Sequence, residues 1–375
     1  MATAKKLLNY GEPAPWFAAP CTTNPNFHFD TIAGRYVVLC FFGSAAAEPA
    51  RTILADILRR REVFDDEQVC FFGVTADPDD EKLSRVRESL PGVRFFWDFD
   101  GAVSRLYGAA PSDPPTTDLS FYRRVTYVLD ERLRTIAAIP FQDDPASHAS
   151  RLLELLDNLP PLAPPARACV QAPVLVVPRI FEPALCRRLI DFYDERGGRE
   201  SGFMREVDGR TVEVHDYGHK RRRDQEITDE PLRNEAMFRI HDRLIPEIYK
   251  AFQFRVTRIE RHMVACYESE TSGHFRAHRD NTTKGTAHRR FAVSLNLNTG
   301  EYEGGLLRFP EFSRHLYQPP AGGAVVFSCS LLHEATPVTA GKRYAYLPFL
   351  YDDAAAKIRE ANQKFVGAAA GQFAS

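Results

Sequence analysis

A proline-rich stretch near the middle of the chain, residues 159–173 (LPPLAPPARACVQAP), most constrains how this sequence can fold. Proline fixes one backbone dihedral and removes an amide donor, so the stretch suits neither a helix interior nor a central strand. The chain has 375 residues, and a single domain is typically of roughly 150 residues. We therefore predict an N-terminal domain at 1–158, an extended linker at 159–173 and a C-terminal domain at 174–375.

The N-terminal half alternates between strand and helix patterns. Residues 36–42 (YVVLCFF) and 69–75 (VCFFGVT) are short continuous apolar runs, which are typical of strands buried on both faces. Between them, apolar residues recur at helical spacing from Ile53 to Leu58. A further strand is expected at 124–130. This alternation predicts a small α/β layer fold.

The C-terminal half has helices first and strands afterwards. One helix is predicted after Glu182, and a second ends near Phe252. From Ile259 onward, short strands and turns dominate, with examples at 291–297, 304–309 and 324–327. Helices followed by a run of β-structure predict a β-sandwich or barrel that is braced by helices.

Charge and cysteine usage exclude several classes of function. The formal net charge is −2, which gives no reason to expect nucleic acid or an anionic membrane as a partner. No apolar run is long enough to span a bilayer. The seven cysteines include no CxxC pair or zinc spacing, and free thiols are typical of a reducing compartment. The expected location is therefore the cytoplasm.

A possible metal site lies in the stretch HFRAHRDN. His278 and Asp280 are two residues apart, and on a strand such residues point to the same face. An imidazole and a carboxylate could thus converge on one ion, with His333 in SLLHEATPV as the third ligand. Two histidines and one carboxylate form the facial triad of non-haem iron, which leaves coordination positions open. Three other histidines of the region are expected to be structural: His262, His274 and His288.

Arg343 is the candidate for binding a dicarboxylic cosubstrate. It follows His333 by ten residues, on a strand reached through a turn at Gly341. Its guanidinium can bind a carboxylate through two parallel hydrogen bonds, a geometry that Lys342 cannot supply. Alternation along the strand sends these two side chains to opposite faces. The basic run at 220–223 (KRRR) is either a solvated face or an approach for an acidic substrate.

Four segments of this half match one known family. They are MVACY (263–267), HRDN (278–281), GGLLRFPE (304–311) and HEATPVTAGKRYA (333–345). With them, the sequence from about Arg261 to Asp352 resembles the prolyl 4-hydroxylase branch of the 2-oxoglutarate/iron oxygenases, especially the hypoxia-inducible-factor prolyl hydroxylases.

This resemblance implies a double-stranded β-helix, or jelly roll, that uses Fe(II), 2-oxoglutarate and O2. It implies His278, Asp280 and His333 as iron ligands, Arg343 as the 2-oxoglutarate anchor and Tyr267 as a pocket residue. One position departs from the family pattern. Where a tyrosine often contacts the cosubstrate carboxylate, this chain has Asn296 in SLNLN, so we expect a cofactor contact from a shorter side chain.

The N-terminal half resembles a peroxiredoxin of the thioredoxin-like class through GEPAPWF, FDTIAGRYVVLCFF and RVTYVLD, the last including Arg124. That family has its peroxidatic cysteine in the first turn of a helix, in a P-x-x-x-[T/S]-x-x-C setting. Residues 43–50 here are GSAAAEPA, with alanines at the expected threonine and cysteine positions. Cys40 lies inside an apolar strand and Cys21 in a loop. We therefore predict a degenerate domain that has no peroxidase activity and serves in dimerisation or substrate docking.

The predicted function is that of a 2-oxoglutarate- and Fe(II)-dependent dioxygenase that hydroxylates an unactivated C–H bond. The resemblance favours a prolyl or other amino-acid residue of a peptide or protein, with ascorbate as a candidate reductant. One alternative is hydroxylation of a free amino acid or natural-product intermediate, and another is a non-catalytic binding protein of two degenerate domains. The missing cysteine argues against a thiol peroxidase. A homodimer through the N-terminal domain is the expected assembly.

Overall fold

The computed structural model describes residues 6–112, 119–141, 144–168 and 170–367. The chain divides into two compact units, Met1–Ala166 and Arg167–Ser375. At the start of the predicted linker, the carbonyl of Pro160 accepts a hydrogen bond from Tyr36 (2.8 Å) in the N-terminal unit. Near its end, the amide of Ala172 donates to the Tyr317 hydroxyl (2.9 Å) in the C-terminal unit. Both ends of the stretch thus pack on their own units, and the linker boundaries stay a prediction.

The N-terminal unit is a seven-stranded sheet with helices packed on it. Its elements are β1 Ala18–Cys21, β2 Asn24–His28, β3 Tyr36–Gly43, α1 Ala50–Leu58, β4 Val69–Thr75, α2 Pro78–Lys82, β5 Val93–Trp97, α3 Ala102–Leu106, β6 Val125–Leu129, β7 Thr135–Pro140 and α4 Pro145–Asp157. The strand order is β2-β1-β5-β4-β3-β6-β7, with β3, β4 and β5 parallel and β6 and β7 antiparallel. Every residue of β3 and β4 is buried, as their apolar runs predict. This arrangement is the expected thioredoxin-like α/β fold.

The C-terminal unit begins with helices and short strands and continues into antiparallel sheets. Its elements are β8 Leu175–Val177, α5 Pro183–Arg196, β9 Arg199–Glu200, β10 Phe203–Val207, β11 Arg210–Val214, β12 Lys220–Arg221, β13 Arg223–Glu226, α6 Glu230–Arg239, α7 Ile245–Phe252, β14 Arg258–Glu260, β15 Met263–Glu268, β16 His274–His278, β17 Phe291–Asn296, β18 Glu303–Gly304, β19 Leu307–Arg308, β20 Leu316–Tyr317, β21 Ala324–Ser328, β22 His333–Ala335, β23 Val338–Ala340, β24 Lys342–Tyr346, β25 Phe349–Tyr351 and α8 Asp353–Asn362. A π-helical turn, Ile240–Leu244, joins α6 to α7.

Two antiparallel sheets form the body of this unit. The major sheet has the order β14-β25-β17-β24-β15-β13-β9, with β21 and β8 continuing from β17, and the minor sheet has the order β12-β16-β22-β19-β20. Residues of α5 to α7 pack on the major sheet at Val264 and Tyr346. Phe327 of the major sheet shares a second apolar cluster with Leu307 and Phe309 of the minor-sheet side. Two packed antiparallel sheets braced by helices form the predicted jelly roll.

The stretch 304–309 combines strand structure with a break at its two glycines. Strand β18 ends at Gly304 and β19 begins at Leu307, so the strand structure is interrupted at the two adjacent glycines, which indicate a tight turn. Gly304 and Gly305 have φ of +75° and +63°, a left-handed conformation that strands do not use and that glycine adopts without steric cost.

In the part of the chain that the structure describes, no helix is long and apolar enough to cross a membrane.

Candidate active site

A β-bulge brings two histidines of the minor sheet together. Strands β16 and β22 pair antiparallel, with Phe275 opposite Ala335 and His278 opposite His333. Between these two pairs the chain advances by three residues on β16 but by only two on β22, so β16 contains one extra residue. In a regular strand without a bulge, the three-residue separation would send Phe275 and His278 to opposite faces. Instead their rings stack with centroids 3.5 Å apart, and the centroids of the two histidine rings lie 4.3 Å apart.

Asp280 reaches the same point from a turn rather than from a strand. Strand β16 ends at His278, so the shared strand face expected of these two residues is not the cause of their convergence. The amide of Asp280 donates to the carbonyl of Cys329 (3.0 Å), which fixes the turn against the chain just before His333. The Asp280 carboxylate oxygens lie 3.5 Å from Nε2 of His278 and 3.3 Å from Nε2 of His333. The three ligand atoms lie within 4.8 Å of one another.

Backbone carbonyls fix the tautomers of both imidazoles. Nδ1 of His278 lies 2.7 Å from the carbonyl of Arg276, and Nδ1 of His333 lies 3.0 Å from the carbonyl of Leu331. A carbonyl only accepts, so each Nδ1 donates its proton and each Nε2 faces Asp280 with a free lone pair. Burial lowers the pKa of His333 to about 4, so this imidazole is neutral near neutral pH.

The carboxylate completes a donor set that fits a divalent metal. Burial alone would raise the pKa of Asp280, but the neighbouring His333 and His278 outweigh burial and hold this pKa well below its usual range. Two neutral imidazoles and one ionised carboxylate are the ligands that non-haem Fe(II) takes on one face. Among the described residues, this is the one cluster of three or more His, Cys, Asp or Glu side chains with such spacing.

The other histidines of the region have structural contacts, as expected. Nδ1 of His262 lies 2.8 Å from the Tyr346 hydroxyl. Nδ1 of His274 lies 2.7 Å from the carbonyl of Ser272. Nε2 of His288 lies 2.9 Å from the Glu260 carboxylate. These three histidines do not take part in the cluster.

The side chains of His278, Asp280 and His333 line a cavity of about 310 Å³, and Arg343 and Tyr267 line the same cavity. Arg343 is only 2% exposed. Its neighbour Lys342 is exposed and forms an ion pair with Glu268 (3.0 Å). Alternation along β24 therefore sends Arg343, rather than Lys342, to the cavity.

The guanidinium of Arg343 is held by neutral groups only. Its Nη2 donates to Ser294 Oγ (2.7 Å) and to Asn296 Oδ1 (3.0 Å), and its Nε also donates to Asn296 Oδ1 (3.3 Å). The Tyr267 ring lies beneath it, 5.1 Å from ring centroid to Cζ. Among the described residues, no carboxylate forms an ion pair with Arg343. Since a buried charge is costly without a counter-ion, the cavity is suited to a ligand that brings one.

Asn296 and Ser294 support Arg343 from β17. Asn296 does not line the cavity; its Nδ2 donates to Thr299 and to the Tyr302 hydroxyl (2.8 Å). This geometry favours positioning of Arg343 over contact with a ligand, so the expected cofactor contact of Asn296 stays a prediction. Sequence reasoning missed Ser294. Its spacing of two residues from Asn296, which puts both on one strand face, was the available signal.

The corresponding region of the N-terminal unit holds no thiol at the helix start. Strand β3 ends at Gly43 and α1 begins at Ala50. Between them, the Ser44 hydroxyl and the Ala45 amide donate to two aspartates at the start of α2, Asp77 (2.6 Å) and Asp80 (2.9 Å). Burial raises the pKa of Cys40, inside β3, to about 12. Thiolate chemistry at this position has no residue to support it.

Comparison with known protein families agrees with both units. Residues 262–351 match the family model of the 2OG-Fe(II) oxygenase superfamily, and residues 10–138 match that of the AhpC/TSA family. The chain thus combines an N-terminal AhpC/TSA peroxiredoxin-like domain with a C-terminal 2OG-Fe(II) oxygenase domain. The oxygenase family implies Fe(II), 2-oxoglutarate and O2, and the His278, Asp280 and His333 side chains provide a matching donor set.

Similar individual proteins cover one unit or the other. A PKHD-type hydroxylase from Azoarcus sp. (strain BH72) is 34% identical over 100 residues, which are 25% of this chain and 42% of that protein. This chain therefore spans under half of that relative's length. A prolyl hydroxylase from Trichoplax adhaerens, solved with a hypoxia-inducible-factor peptide fragment, is 17% identical (50% of this chain, 86% of that chain, TM-score 0.37). AhpC from Mycobacterium tuberculosis is 16% identical (40% and 93%, TM-score 0.33).

Proposed function

We propose that the chain is a 2-oxoglutarate- and Fe(II)-dependent dioxygenase that hydroxylates an unactivated C–H bond, on a prolyl or other amino-acid residue of a peptide or protein. One observation carries this proposal. The cavity that contains the metal-binding side chains also contains a buried guanidinium, Arg343, which has no carboxylate partner among the described residues. The first feature suits a divalent metal and the second suits the far end of a dicarboxylate.

Each side chain has a definite task in this proposal. Bound iron, with 2-oxoglutarate and O2, supplies the oxidising power, and 2-oxoglutarate leaves as succinate and carbon dioxide. The carbonyl hydrogen bonds keep the rings of His278 and His333 in ligand orientation. Arg343 binds the distal carboxylate of the cosubstrate. Phe309 and Phe327 pack near the His333 ring, at centroid distances of 6.3 and 4.5 Å, and exclude water from that side.

Several finer features belong to the same proposal. The prolyl preference and ascorbate as reductant follow from the resemblance to prolyl 4-hydroxylases. A peptide or protein is the proposed substrate, ahead of a free amino acid or natural-product intermediate. We also propose a cytoplasmic location and a homodimer that forms through the N-terminal unit.

Turnover of 2-oxoglutarate without added substrate tests the proposal. Purified full-length protein with Fe(II), O2 and 2-oxoglutarate should form succinate slowly, and omission of iron should stop the reaction. Addition of a host extract should then yield products heavier by one oxygen atom. A non-catalytic binding protein would form no succinate above the iron-free control, and that outcome would overturn the proposal.

A further inference from the structure

Lys220 is a buried cation close to the metal-binding side chains, and the proposed chemistry does not yet use it. It is 4% exposed and lines the cavity. Strand β12 places it opposite Phe275 of β16, and its Nζ lies 4.9 Å from the centroid of the Phe275 ring. That ring stacks on His278. One aromatic ring therefore separates the ammonium group from a candidate metal ligand.

The contacts of Lys220 leave its charge without a counter-ion. Its Nζ donates to Ser201 Oγ (2.7 Å) and to the carbonyl of Gly202. Both acceptors are neutral, and an ammonium group has three donors, so one remains for a ligand. No carboxylate pairs with Lys220 among the described residues. Burial, followed by repulsion from Arg222, lowers the pKa of Lys220 well below its usual range, and a carboxylate bound beside Nζ would favour the protonated form again.

Other cations of the same wall are paired within the protein. Arg222 donates to Asp224 (2.6 Å), and Arg289 donates to Glu260 (2.6 Å). In the described part of the chain, Lys220 and Arg343 are the two buried cations on this wall that neutral oxygen atoms alone hold in place. They lie on different sheets, since β12 belongs to the minor sheet and β24 to the major sheet. Because each of these cations has its own set of neutral acceptors, each is suited to an anionic group of its own.

The charges that line the cavity also favour an anionic ligand group in addition to the cosubstrate. Seven lysine and arginine side chains line the cavity, but only two carboxylates do, Glu213 and Asp280. The whole chain, by contrast, has a formal net charge of −2. Asp280 belongs to the metal-binding set. Carboxylates outside the lining pair with four of the cations, Arg222, Arg261, Arg279 and Arg289. With 2-oxoglutarate on Arg343, Lys220 is the buried cation of the described lining that still lacks an anion. A cavity lined by one sign of charge attracts ligands of the opposite sign.

We propose that Lys220 binds a carboxylate of the substrate. The residue to be hydroxylated then either has a free α-carboxylate of its own or stands beside an aspartate or glutamate. This inference rests on the proposed function, and it narrows the substrate class from amino-acid residues in general to those with an adjacent carboxylate. In this arrangement Lys220 binds the substrate carboxylate and Arg343 binds the cosubstrate.

Two matched pairs of probes test the inference and separate the two sources of a carboxylate. N-acetyl-L-proline and N-acetyl-L-prolinamide differ only at the α-carboxyl group. N-acetyl-Asp-Pro-amide and N-acetyl-Asn-Pro-amide differ only at a side chain. Binding is measured by calorimetry on full-length protein with 2-oxoglutarate and with Mn(II) in place of iron, which prevents turnover. In at least one pair, the acid should bind about tenfold more tightly than its amide, because a charge-assisted hydrogen bond is lost in the amide.

Two variants locate the effect. Lys220→Met keeps the length of the side chain but removes its charge, and the preference for the acid should fall to within about twofold. Arg221→Met removes one positive charge from the same two-residue strand, but Arg221 is half-buried and does not line the cavity. This control should keep the full preference. Equal binding of acid and amide in both pairs by the wild-type protein, including no binding at all, would overturn the inference.

A measurement on the wild-type protein keeps the test decisive if Lys220→Met does not fold. The acid that shows the preference should protect Lys220 from acylation by an amine-reactive ester, as mapped by mass spectrometry, and should leave Lys342 unprotected. Unchanged labelling of Lys220 contradicts the inference. Substrate-free succinate formation, measured in parallel, tests the proposed function separately. Succinate without any carboxylate preference would remove only the assignment of Lys220.

Discussion

The two units of this chain show opposite relations between fold and chemistry. The N-terminal unit keeps the seven-stranded thioredoxin-like sheet but has alanine where a peroxiredoxin has its nucleophile. The C-terminal unit keeps both its jelly roll and a complete donor set. The difference teaches that the sheet depends on apolar packing, whereas the reaction depends on a few side chains. One can be lost without the other.

The loop that lacks the nucleophile is well integrated in its own unit. Ala50 is fully buried in the same apolar cluster as Ile53 and Val38. Asp80 accepts hydrogen bonds from the Ala45 amide (2.9 Å) and from the Thr75 hydroxyl (2.6 Å). A segment that would present a reactive group in a peroxiredoxin serves here to join a strand to a helix. Activity should therefore respond strongly to changes in one unit and hardly at all to changes in the other.

The largest effect is expected at the metal-binding carboxylate. Asp280→Ala removes one of three ligands, and we expect succinate formation to fall by more than about a hundredfold, with a parallel loss of Mn(II) affinity. Asn281→Ala is the matched control, because Asn281 is adjacent but does not line the cavity, and it donates to Ser330 Oγ (2.8 Å). Full succinate formation by Asp280→Ala would remove the basis for the ligand assignment.

A smaller effect is expected at the cosubstrate anchor. Arg343→Lys keeps the positive charge but loses the two-pronged geometry, so the KM for 2-oxoglutarate should rise roughly tenfold while Mn(II) affinity is unchanged. Lys342→Ala should leave this KM near the wild-type value, because Lys342 is exposed and pairs with Glu268. If Lys342→Ala were the more damaging change, the cosubstrate would bind on the other face of β24.

Removal of one support of that anchor should have a milder effect. Ser294→Ala deletes the 2.7 Å hydrogen bond to Nη2 of Arg343 but keeps Asn296 in place. The loss of one such bond corresponds to about fivefold in the KM for 2-oxoglutarate. Ser313→Ala, at an exposed turn whose hydroxyl accepts from the His315 amide, is the control. Identical KM values for the two variants would argue against a positioning role of Ser294.

The smallest effect, none at all, is expected for peroxide reduction by the N-terminal unit. Full-length protein carrying Asp280→Ala, which silences the metal site, should consume hydrogen peroxide with dithiothreitol no faster than the same protein in which Cys21, Cys40 and Cys70 are also replaced by serine. The physical reason is that burial raises the pKa of Cys40 and of Cys70 to about 12, so neither forms a thiolate readily. Cysteine-dependent consumption of peroxide would show that the N-terminal unit also keeps an active reaction, and it would remove the contrast between the two units.

Much of this comparison could be predicted from the sequence, because its signals are local. The apolar runs that became β3 and β4 indicated strands buried on both faces. Alternation put Arg343 and Lys342 on opposite faces, and the geometry of the guanidinium favoured Arg343 for the interior. Features that depend on distant contacts were not predicted. Lys220 lies in a basic run that resembles a solvated face, and only the pairing of β12 with β16 buries it. Ser294 has no recognisable motif, and its role appears only when β17 and β24 lie side by side.

The extra residue in β16 has a consequence for how this protein tolerates change in length. The bulge absorbs the odd step on β16, so that Phe275 and His278 share a face although they lie three residues apart. Deleting a single residue between them would leave two steps on each strand, and a regular ladder would still place the histidine opposite His333. Loss of the bulge without a change in length would instead turn the imidazole to the other face of the sheet. In an alignment, a one-residue gap at this position is therefore compatible with metal binding, because a regular strand does there what the bulge does here.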